Sequence, residues 1–301
     1  MHNPYVLDMI TKKSLHKKIK FLISLTGPRN AIRLRYFHGF KRFPNLTHPK
    51  TFNEKINAYK FMGDQYNFAY LADKVVVKDY VAEKIGAEHV IPTLYAGETL
   101  PPLAERNWPL PYVIKMNHGS GWNIMVRNEK ERNWKEIEKK VSKWLKTTYG
   151  KDSGEVHYGK IKPMVLVEKF ISDQDSVLPK DYKFHMINGK VEFIEVDVDR
   201  ETKPIYTYYD KNWDKLPFAI EEFSSKKPTF SDLVVPKPIN FDKMSDFAKV
   251  LSAGLPLARV DFYEVNGQVY FGEMTMTPFA GFCKFYPEKY DYIFGAMMQL
   301  N

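Results

Sequence analysis

Two Asn-Gly dipeptides constrain this chain more than any other feature. Each sits inside a run rich in β-branched and aromatic residues: Asn188-Gly189 within Tyr182 to Val198, and Asn266-Gly267 within Ala258 to Thr275. Asn-Gly suits the two-residue turn that joins antiparallel strands, so two hairpins are expected. Tyr112 to Met116 reads as a short buried strand and Met164 to Ile171 as another strand-like run. Helical spacing appears at Trp134, Ile137, Val141, Trp144 and Leu145, and again at Met244, Phe247, Ala248 and Leu251. Upstream, Thr51 and Glu54 have capping-box spacing, and Asp73 reads as the N-cap of a helix carrying Val77, Val81 and Ile85 that Gly86 ends. Strands and helices mix without regular βαβ alternation, which predicts an α+β fold with antiparallel sheets.

The chain carries 45 Lys and Arg against 36 Asp and Glu, a formal net charge of +9, which favours anionic partners. The basic residues read as spread along the chain and no nucleic-acid motif is present, so nucleic acid is not expected as a partner. Cys283 is the single cysteine, which excludes a disulfide framework and fits a reducing, cytoplasmic location. No run approaches the roughly 20 apolar residues of a membrane span. Phe21 to Leu25 follows Lys12, Lys13, Lys17, Lys18 and Lys20 without a small-residue cleavage site. That segment reads as a basic helix docked through its apolar side, or as a membrane-surface or complex-docking helix, so peripheral contact with a membrane or a biosynthetic complex is a further expectation.

Walker, dinucleotide-binding and kinase signatures are absent. Instead, Val113 to Met116 delivers Lys115 to a loop containing Gly119, Ser120 and Gly121. Such a loop can present backbone N–H groups to phosphates, with the lysine as a compact charge beside it. His118 reads as structural. Glu168 and Lys169, with Phe170 and Ile171, end an apolar run where a strand meets a cleft. In the second hairpin, alternation places Arg259, Asp261 and Tyr263 on one face, and Glu273 with Thr275 on one face of the returning strand. A suitable register brings Asp261 and Glu273 together as a hard-oxygen site suited to magnesium. Arg259 beside them can hold a phosphate or carboxylate.

Taken in order, Asp73-Lys74, Tyr112 to Asn123, Val165 to Ile171, Asp181 to Val191, Asp197 to Arg200 and Ala258 to Pro278 resemble the ATP-grasp superfamily. Within it they resemble the TupA-like proteins, named for teichuronopeptide biosynthesis. The resemblance implies two α+β lobes whose antiparallel sheets enclose ATP. Residues 1–68 read as a basic, helical N-terminal region, and the resemblance implies an ATP-grasp domain over 69–301, its smaller lobe about 105–170 and its larger about 171–301. Lys74 and Lys115 would contact phosphates, with the Gly119-Ser120-Gly121 loop closing over them. Glu168, Lys169, Phe170 and Ile171 would surround adenine and ribose. Lys183 and Arg200 would face the reacting phosphate or the acceptor. Asp261 and Glu273 would bind Mg2+, and Arg259 would stabilise transferred charge. Many relatives carry asparagine where this chain has Thr275, and a hydroxyl is the weaker magnesium ligand. The implied chemistry is phosphorylation of a carboxylate by ATP, then attack by an amine. Family association with surface polysaccharides points to an anionic saccharide or uronate acceptor and an amine or amino acid nucleophile. Tyr206, Tyr208 and Tyr209 offer flat surfaces for a sugar. The rival reading is a glycosyltransferase using Asp197-Val198-Asp199 to hold a metal–nucleotide-sugar complex.

Overall fold

Both Asn-Gly pairs adopt left-handed backbone, with φ of 47° and 76° at Asn188 and Gly189 and 50° and 74° at Asn266 and Gly267. Positive φ at both central residues matches the turn to the twist of the flanking strands. The hairpins they close are β5 (Asp181–Ile187) with β6 (Lys190–Val198), and β9 (Leu257–Val265) with β10 (Gln268–Thr275). The computed structural model describes residues 26–172, 178–222 and 230–300. The expected helix around Lys12 to Leu25 lies outside them.

The hairpins join through β5 and β9, and β7 (Ile205–Tyr209) completes a five-stranded antiparallel sheet in the order β10-β9-β5-β6-β7. One face of this sheet is apolar. It packs Phe184, Val260 and Phe262 with Phe241, Met244, Ala248 and Leu251 of α6 (Phe241–Leu251), all fully or nearly fully buried in one core. The other face carries Asp181, Lys183, His185, Arg259, Asp261 and Tyr263. A second sheet, in the order β1-β4-β2-β3, is also antiparallel. It comprises β1 (Thr93–Gly97), β2 (Tyr112–Met116), β3 (Asn123–Val126) and β4 (Val165–Lys169). Its Tyr112, Ile114, Val165 and Val167 meet Ile137 and Val141 of α5 (Trp134–Leu145). Alternation turns Lys115 and Glu168 to the opposite face. The remaining strands, β8 (Ala219–Glu222) and β11 (Cys283–Tyr286), form a two-stranded ribbon.

Two helices open the described chain, α1 (Pro28–Phe40) and α2 (Phe52–Tyr59), followed by α3 (Phe68–Ala72) and α4 (Val77–Ile85). The capping box of α2 is formed: Thr51 accepts from the Glu54 backbone N–H and the Glu54 carboxylate accepts from the Thr51 backbone N–H. Phe52, Ile56, Tyr59 and Phe68 join the same core as the five-stranded sheet and α7 (Lys289–Met297), so residues 52–68 pack within the larger body. The smaller sheet likewise begins at Thr93, upstream of residue 105. Its first strand pairs only with β4, from 72 residues further along, which a local pattern cannot reveal. Among the described residues no helix is long and apolar enough to cross a membrane.

Candidate active site

The polar faces of the two larger sheets bring the expected side chains into neighbouring ion clusters. On the smaller sheet, Glu168 is buried. Its Oε2 lies 2.6 Å from Lys115 Nζ and its Oε1 lies 2.5 Å from Lys78 Nζ. Burial opposes the Glu168 charge, but Lys115 and then Lys78 outweigh it and hold the carboxylate below its usual range. Lys115 is raised: burial works against its charge, and Glu168 more than compensates. Lys78 also donates to Ile91 O and Thr93 Oγ1, both at 2.8 Å. Glu168 is thus an anionic anchor that positions two lysines.

Lys74 precedes α4 and ties the glycine loop to Glu273. Its Nζ donates to Gly119 O at 2.9 Å and lies 3.2 Å from Glu273 Oε2. Asp73 accepts from the Val75 backbone N–H at 2.8 Å and from Asn117 Nδ2 at 3.0 Å, fastening α4 to the loop after β2. The glycine loop turns at Gly121 with φ of 71°. The Trp122 ring lies so close to Gly119 that a Cβ there would fall 2.7 Å from it. Buried His118 neighbours Asn117 Oδ1 and Trp144 O and meets Trp122 edge-on, as a structural residue does.

The decisive feature is a bulge in β10. Phe271 pairs with Phe262, but the next pair is Glu273 with Asp261, so Gly272 is skipped. Strict alternation would send Glu273 to the apolar face beside Phe271. The extra residue instead turns it onto the polar face, opposite Asp261. Glycine suits this spot, since a Cβ would lie 3.1 Å from both Asp261 O and the Tyr263 ring. Arg259 then clamps both acids. Its Nε and Nη2 each lie 2.7 Å from an Asp261 oxygen, and Nη2 lies 3.1 Å from Glu273 Oε1. Burial disfavours the Glu273 charge, but Lys74 and then Arg259 prevail and bring its pKa to about 2. Burial raises the pKa of Asp261 despite Arg259. Thr275 Oγ1 stands 3.4 Å from Glu273 Oε1, on the same side.

Residues 54–299 match the family described as TupA-like ATPgrasp. The chain belongs to the TupA-like ATP-grasp family. No curated protein sequence matches it. Among solved structures it is similar to D-alanine–D-alanine ligase from Bacillus anthracis complexed with ATP, at 15% identity over 69% of this chain and 55% of that one, TM-score 0.42. It is also similar to L-amino acid ligase from Bacillus licheniformis, at 15% identity over 72% and 47%, TM-score 0.40. The ADP complex of purK, N5-carboxyaminoimidazole ribonucleotide synthetase, matches at 12% identity over 75% and 52%, TM-score 0.43. The chain therefore spans about half the length of these three structures.

In this TupA-like chain a cavity between the sheets is lined by Lys115, Glu168, Phe170, Ile171, Arg200 and Tyr263, with Lys169 at its rim. Arg200 therefore stands beside the end of β4. It donates to Asp181 Oδ2 at 3.0 Å and to Pro179 O at 3.2 Å. Lys183 differs from expectation. It is 8% exposed, lies 2.9 Å from Asp181 Oδ2 and bonds Asp197 Oδ2, so its charge is spent inside the sheet. The same lysine bonds one oxygen of Asp197, the first acid of the Asp-x-Asp motif. Asp199 occupies left-handed backbone with φ of 51° beyond the end of β6. Of the three tyrosines, Tyr208 and Tyr209 are buried in the core and Tyr206 is exposed. Sequence reasoning missed Lys78. Its only local signal is its place four residues after Lys74, one helical turn away.

Proposed function

We propose that this protein is an ATP-dependent carboxylate–amine ligase that forms an amide through an acyl phosphate. The observation that carries the reading is the bulge-aligned pair Asp261 and Glu273, held by Arg259 and Lys74, with Lys115 near Glu273 and the glycine loop beside Lys74. Two opposed carboxylates fit magnesium, which takes one or two carboxylates together with phosphate oxygens and water. Asp261 and Glu273 would hold the ion, with the Thr275 hydroxyl as a weaker third ligand, and magnesium would supply neutralisation of phosphate charge. Lys115, held by Glu168, and Lys74, held by Glu273 and Gly119, are fixed before nucleotide arrives. Preorganised cations of this kind stabilise charge without reorganising during the reaction.

In the first step a substrate carboxylate oxygen attacks the terminal phosphorus of ATP, the bond to the bridging oxygen breaks, and ADP leaves. In the second, an amine attacks the acyl carbon, phosphate leaves with the carbon–oxygen bond electrons, and the nitrogen loses a proton to give the amide. Arg259 stands where it can follow the transferred charge from nucleotide to acyl phosphate. The acceptor we propose is an anionic saccharide bearing a uronate carboxylate, joined to an amino acid or other amine. Its support is the family's association with surface polysaccharide assembly. Arg200, exposed to the cavity beside Tyr263, is the cation with access to such a carboxylate.

The test is incubation with ATP, magnesium, uronate oligosaccharides and amines, with nucleotide and product identified by mass spectrometry. ADP, phosphate and a uronamide are expected. ADP release driven fully by free amino acids, with uronates absent from the product, would replace the saccharide by a dipeptide-type substrate. Absence of ADP under every pairing would remove the ligase reading.

A further inference from the structure

The net charge of +9 is not spread along the chain. Of 45 Lys and Arg and 36 Asp and Glu, residues 1–50 hold 11 and 1, which leaves 34 cations against 35 acids in residues 51–301. The body that contains the ATP-grasp cleft is therefore close to neutral, and the basic field belongs to the N-terminal segment. The described part of that segment is α1 with the turn after it.

One side of α1 is committed to the body. Ala31, Ile32 and Tyr36 are buried, Ile32 lies against Gly154, and Tyr36 meets the Phe282 ring edge-on. The cations on this side are paired: Arg35 Nη1 lies 3.0 Å from Asp152 Oδ2, and Arg42 Nη1 lies 2.9 Å from Glu54 Oε1. A helix docked in this way ordinarily turns a polar face to water. Here the outward face carries Leu34 and Phe37, 41% and 45% exposed. Lys41 ends α1 in left-handed backbone with φ of 60°, and the returning chain lays Phe43, 59% exposed, against Phe37 with ring centroids 4.9 Å apart. Exposed Arg33 and Lys41 flank these rings, and neither has an ion pair among the described residues. No acid occurs between Pro28 and Lys50.

We propose that this face docks on an anionic membrane surface, with Leu34, Phe37 and Phe43 entering the headgroup boundary and Arg33 and Lys41 pairing with lipid phosphates. The charge decides the partner. A protein partner would need only the apolar cluster, whereas a continuous basic segment around exposed aromatic rings matches the composition of interfacial helices. This inference stands apart from the ligase reading, because neither its residues nor its charge belong to the cleft.

The test is sedimentation of the full chain with phosphatidylcholine vesicles, with and without phosphatidylglycerol, at low and high salt. Binding is expected only with the anionic lipid, and high salt should release it by screening. Phe37→Ser with Phe43→Ser should weaken binding about tenfold or more, since removing two buried rings outweighs one decade of affinity. Arg33→Glu with Lys41→Glu should do the same, and in both pairs the thermal midpoint and Mg-ATP affinity should match the parent. Failure to bind anionic vesicles at low salt would overturn the proposal. So would full binding by both double variants, or retention on polyglutamate without retention on vesicles. Replacement of the five lysines Lys12, Lys13, Lys17, Lys18 and Lys20 by Gln that abolishes binding, while the Phe37/Phe43 pair leaves it intact, would place docking elsewhere and overturn it as well.

Discussion

The two Asn-Gly hairpins are built alike, yet their ionic residues have opposite fates. Each hairpin turns through positive φ, lies in the same sheet and contains one bulge. In β5–β6 the register shift skips Glu192, and the acids Asp181 and Asp197 close on Lys183, with Arg200 completing the cluster. All three are nearly inaccessible, so this hairpin spends its charges on itself. In β9–β10 the shift skips Gly272, and two acids share one arginine under a lysine from another element. The Glu273 side chain stays 28% exposed while that of Asp261 is 3% exposed, so Glu273 is the acid of this pair open to a ligand. Similar residue types on a similar scaffold become an enclosed ion cluster in one hairpin and leave one acid partly exposed in the other.

The contrast predicts that β9–β10 substitutions strike turnover and β5–β6 substitutions strike stability. The largest effect should come from Glu273→Gln or Asp261→Asn, each lowering ADP formation by about 10³-fold, as loss of a principal charge-stabilising group does. The double variant should be little worse than either single one, because the two act as a unit. Metal-dependent turnover surviving in Glu273→Gln would erase the distinction between the hairpins. Next, Lys183→Met should cost about 3–5 kcal/mol of unfolding free energy, the usual consequence of leaving buried acids uncompensated. Adding Asp197→Asn should restore part of that loss in a denaturant titration, and strictly additive losses would show that the two side chains are not coupled.

A smaller effect is expected at the other sheet. Lys115→Ala should weaken Mg-ATP binding by about tenfold to a hundredfold with the fold retained, since Lys78 still neutralises Glu168. Calorimetry showing unchanged affinity would remove Lys115 from the phosphate site. The smallest effect concerns pH. His185 is fully buried in β5, and burial, then Arg259 and Lys183, push its pKa well below 6.5. The unfolded chain therefore takes up this proton first. The His185 contribution to stability is complete above pH 6.5 and declines as pH falls below it, with a slope of about 1.4 kcal/mol per pH unit. His185→Phe should flatten that limb of the stability profile. An unchanged slope would mean that the ring is already charged in the folded sheet.

Much of this arrangement was legible before any coordinates. Asn-Gly dictates its turn through local backbone preference, so both hairpins were readable. Thr51 and Glu54 satisfy one another within a single helical turn, and Tyr112 to Met116 announces a strand that ends at a loop. These depend on neighbours in the chain. The pairing of Lys183 with Asp197 and the burial of Tyr208 depend on which strands lie beside them and on what covers the sheet. Read as single residues, Lys183 and Arg200 were free cations awaiting an acceptor. Lys78 was invisible for the same reason, because its partner lies 90 residues away.

By itself the sequence determined the strand-turn-strand units, the capping box at Thr51 and Glu54, and the presence of Arg259, Asp261 and Glu273 on one hairpin. Only the tertiary structure decided that Glu273 faces Asp261. Unbroken alternation through Phe271, Gly272 and Glu273 points the glutamate into the core. Placing a carboxylate there would cost more than the two backbone hydrogen bonds disturbed by a bulge. The sheet accepts the bulge at the glycine, where no side chain obstructs the Asp261 carbonyl, and Lys74 and Arg259 reach the acid that it turns outward.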